Sequence, residues 1–235
     1  MTSEINNTFV YVGTENRGLY RLSPGSDLWD ELTNGLPPDP VVPGVVLHPD
    51  NPQVVYAGTQ DGPYRSTDGG DTWEEITGSL APSEHTLDLH GIQCSASAPH
   101  TVYITTRQGP FIGPDRGREW IPGDFGRFSP ITYTRDLRTT PTDPNTLIVS
   151  IGASARSSQG ALYRSRDLFR TFERLDRGIT ANATMMAVSV DPRTPSHIFC
   201  AARDGQVFGT MDDGATWSTH QLPEKAKEIR GLAAG

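Results

Sequence analysis

Residues 84–90 bring two carboxylates and two histidines together in one short segment. A histidine beside a carboxylate can donate or accept a proton near neutral pH, so we predict His85 and His90 as proton-transfer residues. The same residue types can hold a divalent metal. However, strand alternation would place Asp88 and His90 on one side and His85 on the other, and no second histidine cluster supplies further ligands. We therefore predict no metal. The alternative to a catalytic role is that these side chains lie in a solvent-exposed loop and take no part in chemistry.

A second polar pair lies where alternation predicts an inner strand. Asp136 and Arg138 share one face of that strand, and Gln93 has the matching position on an earlier strand of the same kind. If this face lines a central channel, Arg138 and Gln93 would bind a ligand and Asp136 would act as a base or polar anchor. One alternative is an ion pair that fills the channel, since buried charge must be paired. Another is a register one residue out, which would turn both side chains outward.

Arginines recur in loops predicted to lie on the same side of the molecule. Besides Arg138, they include Arg107, Arg203 and Arg230. The chain has 20 Lys and Arg against 28 Asp and Glu, a net charge of −8, so converging arginines would focus a positive potential on an acidic protein. Guanidinium groups bind carboxylate or phosphate through paired hydrogen bonds. We predict an anion-binding role for these four arginines, with ordinary surface solvation as the alternative.

A repeat of strands must position these residues. Five segments share an apolar strand, a polar turn with glycine, a second short strand and then an aromatic residue. The closing aromatics are Trp29, Trp73, Trp120, Phe172 and Trp217. The mean period is about 47 residues, which suits a four-stranded β-propeller blade and is too long for one coil of a β-helix.

The sequence therefore predicts an all-β fold, a single five-bladed β-propeller of four-stranded blades over residues 1–235. The first repeat lacks the strand that precedes the others, and residues 229–235 supply a strand left over. We predict that this C-terminal strand joins the N-terminal blade as its innermost strand and closes the ring without a free sheet edge. A fragment of a seven-bladed propeller is the alternative. The predicted blades are residues 1–34 with 226–235, 35–79, 80–124, 125–178 and 179–225.

The hairpin before each closing aromatic carries a motif. Residues 66–73 match the pattern Ser-x-Asp-x-Gly-x-Thr-Trp in full, and residues 210–217 match it nearly as well. Residues 113–120 and 165–172 keep parts of the pattern. The motif resembles the Asp-box, or bacterial neuraminidase repeat, of a propeller superfamily that includes sialidases, xyloglucanases, sortilin-type receptors and photosystem assembly factors. The carboxylates of the four boxes are Asp68, Asp115, Asp167 and Asp212.

The resemblance implies a propeller fold and a structural role for these four carboxylates, because the boxes of such proteins lie away from the active face. A short carboxylate can accept backbone N–H bonds inside the hairpin turn. The resemblance does not imply a sialidase, since a fold does not define an activity. The chain lacks the Arg-Ile-Pro motif of sialidases, and its predicted blade number differs from their six.

Composition and cysteine positions limit the classes of binding partner and the cellular compartment that we predict for the protein. The acidic balance argues against a nucleic-acid partner, and no apolar run reaches the roughly 20 residues that would span a membrane. Residues 1–7 lack the basic start and apolar core of a signal peptide. Cys94 and Cys200 fall on blades that are not neighbours, so two free thiols and a cytoplasmic location are predicted. No phosphate-cradling Gly-Lys-Ser/Thr loop and no Cys-x-x-Cys motif is present, and we predict no cofactor.

These features lead to two main functional hypotheses. The first is an enzyme that acts by hydrolysis or elimination on a small anionic metabolite or sugar derivative at the channel mouth. The second is a non-catalytic propeller platform that binds a protein or a glycan, and a carbohydrate-binding lectin is a third. The sequence does not define the substrate or the oligomeric state.

Overall fold

The chain folds into five antiparallel β-sheets that follow one another along the sequence. The computed structural model describes residues 8–223 and 226–234. Residues 1–7 and 235 of the predicted first blade, and residues 224–225 of the predicted fifth, lie outside the described residues. The predicted all-β class and the five sheets are confirmed.

Each sheet is a meander of strands joined by turns. The first sheet contains β1 (Val10–Gly13), β2 (Leu19–Leu22) and β3 (Trp29–Leu32). The second contains β4 (Gly44–His48), β5 (Asn51–Thr59), β6 (Gly62–Ser66) and β7 (Glu74–Glu75). The third contains β8 (Leu89–Ser95), β9 (Ala98–Thr106), β10 (Pro110–Gly113) and β11 (Ile121–Pro122). The fourth contains β12 (Tyr133–Thr139), β13 (Leu147–Gly152), β14 (Gly160–Ser165) and β15 (Glu173–Arg174). The fifth contains β16 (Met185–Val190), β17 (Ile198–Ala202), β18 (Gln206–Thr210) and β19 (Ser218–Gln221).

Within residues 8–223 and 226–234, the helical elements are short turns in loops. They are α1 (Glu84–Leu87), α2 (Pro114–Gly117) and a 3-10 turn at Phe125–Arg127. Among the described residues, no helix is long and apolar enough to cross a membrane.

The inner strands β4, β8, β12 and β16 contact one another in chain order and bring the sheets face to face. Because successive side chains of a strand point to opposite faces, each sheet packs against two different neighbours. On β5, Val55 packs toward the first sheet and Tyr56 toward the third. Both side chains are completely buried.

Four apolar clusters fill four seams between neighbouring sheets. They join the first and second, second and third, third and fourth, and fourth and fifth sheets. Each buried large apolar side chain contributes about 1.5–3 kcal/mol, so these seams hold most of the apolar stabilisation. Among the described residues, no such cluster joins the fifth sheet to the first.

The first sheet has three strands where the other four sheets have four. Its β1 occupies the place that β5 has in the second sheet, so the inner place lacks a strand within residues 8–223 and 226–234. No strand is assigned to residues 226–234, although the Ala234 N–H donates to Ser189 Oγ of β16 at 3.0 Å. The predicted closure of the ring by the C-terminal segment is therefore not confirmed and stays a prediction.

Three of the four Asp-boxes share one hydrogen-bond pattern. In the first, Asp68 accepts from Ser66 Oγ at 2.7 Å, from the Thr72 N–H at 2.9 Å and from Thr72 Oγ1 at 2.6 Å. Equivalent bonds surround Asp167 and Asp212. These bonds stabilise the ionised carboxyl, led by the Thr72 hydroxyl, and lower the pKa of Asp68 to about 2.

Asp115 differs from the other box carboxylates. It has a left-handed backbone, with φ of +47°, and its exposed carboxylate pairs with Arg118 at 3.3 Å. Within the described residues it makes none of the turn-closing bonds that surround Asp68. The preceding residue is Pro114, and Gly113 replaces the serine that would share those bonds. The aromatic of this box is still buried, and Trp120 Nε1 donates to the Ile76 carbonyl at 2.7 Å.

A repeated arginine contact links sheets and has no counterpart in the sequence predictions. Arg21, Arg65 and Arg164 each lie opposite an acidic residue of the adjacent outer strand and pair with it. From Nη1 each also donates to a carbonyl in the box region of the next sheet. Those carbonyls belong to Gly69 at 2.7 Å, Arg116 at 3.3 Å and Asp213 at 3.3 Å. We call these three residues the seam arginines.

Both cysteines are free, as predicted. Cys94 lies on β8 and Cys200 on β17. Burial raises the pKa of Cys94 to about 12 and raises that of Cys200 as well. Both side chains are therefore protonated thiols with little reactivity at neutral pH.

Candidate functional site

A cavity of about 580 Å³ opens where the inner ends of the first four sheets meet. Its polar side chains include Glu15, Gln60, His90, Arg135 and Arg230. The remaining wall is backbone and small apolar side chains near the ends of β1 and β4. We call this cavity the mouth. It takes residues from well-separated parts of the chain, but of the four arginines predicted to converge on one mouth only Arg230 lines it.

His90 lies on β8 in the wall of the mouth, with a buried side chain. Its Nδ1 is 2.6 Å from the Thr134 carbonyl and must carry the proton, because a carbonyl can only accept. Burial and then the charge of Arg135 lower the pKa of His90 to about 3. The ring is therefore neutral at pH 7, with Nε2 as a lone-pair acceptor. The expectation of a histidine that titrates near neutrality is wrong for His90, because the inner strands bury it beside a cation.

Arg135 is a half-buried cation in the wall of the mouth. Its Nε is buried and has no hydrogen-bond partner among the described residues. Its Nη1 donates to the Tyr133 hydroxyl at 3.3 Å, and its guanidinium carbon lies 5.8 Å from the Tyr133 ring centre. No carboxylate of the described residues forms an ion pair with it. Arg135 therefore places a guanidinium without a direct carboxylate contact in the wall, and its charge favours the ionised form of the nearby Asp88.

Arg230 supplies a second guanidinium to the mouth from the C-terminal segment. Its nearest carboxylate is Glu15, at 3.7 Å, and both side chains are mostly exposed. An exposed ion pair of this length contributes little energy. Arg230 is therefore free to exchange Glu15 for a ligand.

Asp88 lies behind His90 and is almost completely buried. Its Oδ2 accepts from Arg107 Nε at 2.5 Å and lies 3.9 Å from His90 Nε2, whereas Oδ1 is buried without a partner. Burial raises the pKa of Asp88 even though Arg107 opposes the shift. Because His90 is neutral, the contact of Asp88 with His90 is not an ion pair.

A second and larger cavity, of about 740 Å³, lies between the third and fourth sheets. We call it the cleft. It is lined by His85, Arg107, Gln108, Tyr133 and the backbone of residues 153–155. Arg107 is fixed there by two carboxylates, since besides Asp88 its Nη1 donates to Glu84 at 2.5 Å. His85 is exposed on α1.

The predicted pair Asp136 and Arg138 lies between sheets. Arg138 Nη1 donates to Asp136 Oδ1 at 2.5 Å, and Asp136 also accepts the N–H groups of Leu137 at 2.8 Å and Val188 at 3.0 Å. Val188 belongs to the fifth sheet, while Leu137 packs on the opposite side with the third. The faces of β12 therefore turn toward neighbouring sheets. Burial raises the pKa of Asp136, with Arg138 opposing, and the geometry matches the alternative of a satisfied ion pair.

Two further predicted residues lie outside the mouth and the cleft. Gln93 is half-buried on β8 and lines neither cavity. Arg203 donates to the Ala155 carbonyl at 3.0 Å and pairs with the Glu228 carboxylate beside a smaller cavity of about 320 Å³. The structure thus brings His90 and Arg230 together at the mouth and His85 and Arg107 together at the cleft. The catalytic and binding roles of all eight predicted residues stay predictions.

Neither Arg135 nor Tyr133 was singled out from the sequence. Alternation could not have placed Arg135, because the register shifts between Thr134 and Asp136 and leaves Arg135 without a partner on β13. Within the described residues, no group of three or more His, Cys, Asp or Glu side chains could hold a metal ion.

Comparison with solved structures finds similar propellers. The Niastella koreensis GH74 enzyme matches at 15% identity with a TM-score of 0.57, over 97% of this chain and 50% of that one. The GH74 xyloglucanase from Xanthomonas campestris matches at 14% identity with a TM-score of 0.59, over 91% and 43%. YCF48 from Cyanidioschyzon merolae matches at 16% identity with a TM-score of 0.59, over 82% and 60%. At these identities the likeness shows the fold alone.

The chain spans half or less of the two GH74 chains it matches. A search of curated protein sequences finds no match. The sequence profile described as Sortilin, neurotensin receptor 3, matches residues 61–200, which is more than half of the chain. The profile match agrees with the Asp-box motifs and with the propeller-like sheets, and the chain therefore belongs to the Sortilin-Vps10 family.

Proposed function

We propose that this protein binds a small organic anion of the sugar-acid type in the mouth. The observation that carries the proposal is Arg135, whose buried Nε has no partner and whose guanidinium forms no ion pair with a described carboxylate. A buried donor without a partner is costly, so this arginine is not fully satisfied by the described residues. A carboxylate or phosphate at the half-buried guanidinium would supply a countercharge and further acceptors.

The other groups of the mouth fit the same ligand. Arg230 is held only by a long, exposed contact to Glu15 and can turn to a bound anion. His90 Nε2 is an acceptor at neutral pH, so it suits a hydroxyl donor on the ligand better than a second anionic oxygen. An anionic group together with hydroxyls describes a sugar acid. A sugar ligand is also supported by the likeness to a GH74 xyloglucanase.

Hydrolysis or elimination of this ligand stays a prediction. The buried groups able to move a proton beside the mouth are His90, a weak base with its pKa near 3, and Asp88, whose pKa is raised. Asp136 is occupied by its bonds to Arg138 and to two backbone N–H groups. Binding is therefore the function that the geometry supports best.

The platform hypothesis rests on a different surface. Leu28 and Trp29 of the first sheet are 77% and 48% exposed, and exposed apolar groups of this size favour protein contacts. A protein partner held there would be insensitive to changes in the mouth. This difference separates the two hypotheses.

A thermal-shift panel of glucuronate, inorganic phosphate, glucose and divalent metal salts tests the proposal. A ligand at 100 times its Kd stabilises the folded state by about 2.7 kcal/mol, which is readily measured. We expect a shift with an anion and none with glucose, and we expect Arg230→Ala to reduce it. Arg193→Ala is the matched control, because Arg193 is an exposed arginine at a distant turn. If no anion shifts the native protein, the proposal fails.

A further inference from the structure

We propose that the cleft is a second subsite, which holds an uncharged sugar unit next to the anion in the mouth. The ligand would then be an acidic oligosaccharide, with its carboxylate in the mouth and a neutral neighbour in the cleft. This inference rests on the proposed function and extends it to the class of ligand.

The mouth and the cleft share one wall. The Tyr133 ring of the cleft lies 4.5 Å from the His90 ring of the mouth, centre to centre. The Arg135 guanidinium of the mouth lies 5.8 Å from the same tyrosine ring. Asp88 completes the wall, since it bonds to Arg107 of the cleft and lies 3.9 Å from His90. The cavities are therefore neighbours at the starts of β8 and β12, and a disaccharide that occupies both would cross the rim above this wall.

The charges of the two cavities differ. In the cleft, Arg107 is neutralised by Asp88 and Glu84, at 2.5 Å from each. In the mouth, Arg135 has no ion-pair partner among the described residues. An anionic group therefore gains most in the mouth, and an uncharged group suits the cleft better.

The groups of the cleft match the hydroxyls of a neutral sugar. Ser83, Gln108 and Thr132 offer uncharged side chains that can both donate and accept hydrogen bonds. Gln108 is exposed, and its side-chain amide makes no hydrogen bond to the described residues. Sugar hydroxyls also donate and accept, so both partners can be satisfied.

The far wall of the cleft is fixed before any ligand arrives. The Ala153 N–H donates to Ser157 Oγ at 3.1 Å. The Ser154 carbonyl accepts from Thr184 Oγ1 at 2.6 Å, and the Ala155 carbonyl accepts from Arg203 at 3.0 Å. A wall held in this way loses little conformational freedom on binding, which favours affinity. The cleft volume of about 740 Å³ lies within the ordinary range of ligand sites.

Titration calorimetry with a small set of sugars tests the inference. The set contains glucuronate, glucuronosyl-xylose, cellobiouronic acid and cellobiose, so the acidic unit stands at either end of a disaccharide or is missing. We expect at least one acidic disaccharide to bind about tenfold or more tighter than glucuronate. Cellobiose should bind more weakly than both.

Two variants test whether the tighter binding of the disaccharide, compared with glucuronate, comes from contacts in the cleft. His85→Ala and Gln108→Ala remove exposed side chains of the cleft that make no side-chain hydrogen bonds, so the fold should be unaffected. We expect each to reduce the gain of the disaccharide and to leave glucuronate binding unchanged. His220→Ala, an exposed histidine on β19, is the matched control.

The outcomes separate this inference from the proposed function. Glucuronate binding without a gain for either acidic disaccharide would overturn the second subsite alone. A gain that both cleft variants retain would overturn it as well. If neither glucuronate nor an acidic disaccharide binds, the proposed function and this inference both fail.

Discussion

At the scale of single residues, the surroundings decide what a side chain does. Asp68 and Asp115 occupy equivalent places in two Asp-boxes, but only Asp68 closes its turn with bonds from Ser66 and Thr72. Asp115 faces solvent beside Arg118. The sequence motif therefore identifies the position of a box and does not guarantee its hydrogen bonds.

We expect Asp68→Ala to lower the free energy of unfolding by about 1–2 kcal/mol, because several backbone and hydroxyl donors lose their acceptor. Asp115→Ala should change it by less than about 0.5 kcal/mol, as for an ordinary surface substitution. The measurement is urea denaturation of both variants at pH 7. Equal losses in the two variants would show that the bonds around Asp68 do not matter.

Because these bonds need the ionised carboxylate of Asp68, they predict that part of the free energy of unfolding is lost in acid. The pKa of Asp68 is lowered in the folded state to about 2, so its stabilisation is complete above the unfolded value near 4. That stabilisation is lost as the pH falls from about 4 toward 2. The exposed position of the turn keeps this term small.

His90 predicts a pH dependence at higher pH. Its folded pKa of about 3 lies below the unfolded value of about 6.5, so the unfolded chain binds one more proton between these values. Its contribution to stability is therefore complete above about pH 6.5 and falls by up to about 1.4 kcal/mol per pH unit toward pH 3. Arg107 and Arg135 near the ring disfavour its charged form, whereas the Asp88 carboxylate, 3.9 Å from Nε2, favours it.

The test compares unfolding free energies of the native protein and His90→Asn from pH 7 to pH 4. Asparagine keeps a donor for the Thr134 carbonyl and does not titrate. The variant should lose less stability on acidification than the native protein. Parallel pH profiles would contradict the lowered pKa of His90.

The residue types of the candidate site could be predicted from the sequence, and their partners could not. His90, Arg107 and Arg230 were identified because histidine and arginine in loops are visible in any sequence. Arg107 is held by Asp88 and Glu84, whereas Arg135 has no carboxylate partner among the described residues, and this difference depends on which loops meet in space. No local sequence pattern predicts the distances between side chains of different loops.

At the scale of elements, the repeat is the strongest predictor. The strand meanders and the turns between them follow from apolar alternation and from the boxes, and they appear where the repeats lie. Even the box at residues 165–172 keeps its turn. Phe169 adopts a left-handed φ of +68° where glycine is expected, and its ring packs 5.3 Å from Phe172.

The links between sheets were harder to predict. The seam arginines belong to no recognisable sequence motif. Each donates a hydrogen bond to a carbonyl about 50 residues away in the chain. Their pairing with an outer strand depends on register, which the sequence does not specify to a single residue.

We expect Arg164→Met to destabilise the protein by about 1–3 kcal/mol, because a mostly buried arginine is lost and Glu173 and Asp213 are left with the more exposed Arg166. Arg193→Met should have an effect below about 0.5 kcal/mol, since Arg193 is exposed. Thermal and urea unfolding give both values. A near-zero effect of Arg164→Met would contradict the role of the seam arginines.

At the scale of the whole molecule, the seam between the fifth and first sheets differs from the other four. Among the described residues it has no apolar cluster, and the first sheet lacks an inner strand. The C-terminal segment passes this region, with Arg230 near Glu15 and Ala234 bonded to Ser189. These contacts support the prediction that residues 226–235 close the ring.

Truncation after residue 225 tests that prediction. We expect amide exchange in β1 to become about tenfold faster or more, because the strand would lose its neighbour. Amides of β5 and β9, which lie inside completed sheets, should change little and serve as the internal control. Unchanged protection of β1 would mean that the C-terminal segment does not pair with it.

The central claim is that Arg135 and Arg230 hold an anion in the mouth, and titration calorimetry of glucuronate tests it most directly. We expect saturable binding that weakens with added salt, by about tenfold or more in Arg230→Ala, and at least as much in a folded Arg135→Gln variant. Glucose should not compete, because it has no charge for the two guanidinium groups. Glucuronate binding of equal strength in the native protein and in both variants, or no binding to the native protein, would contradict the claim.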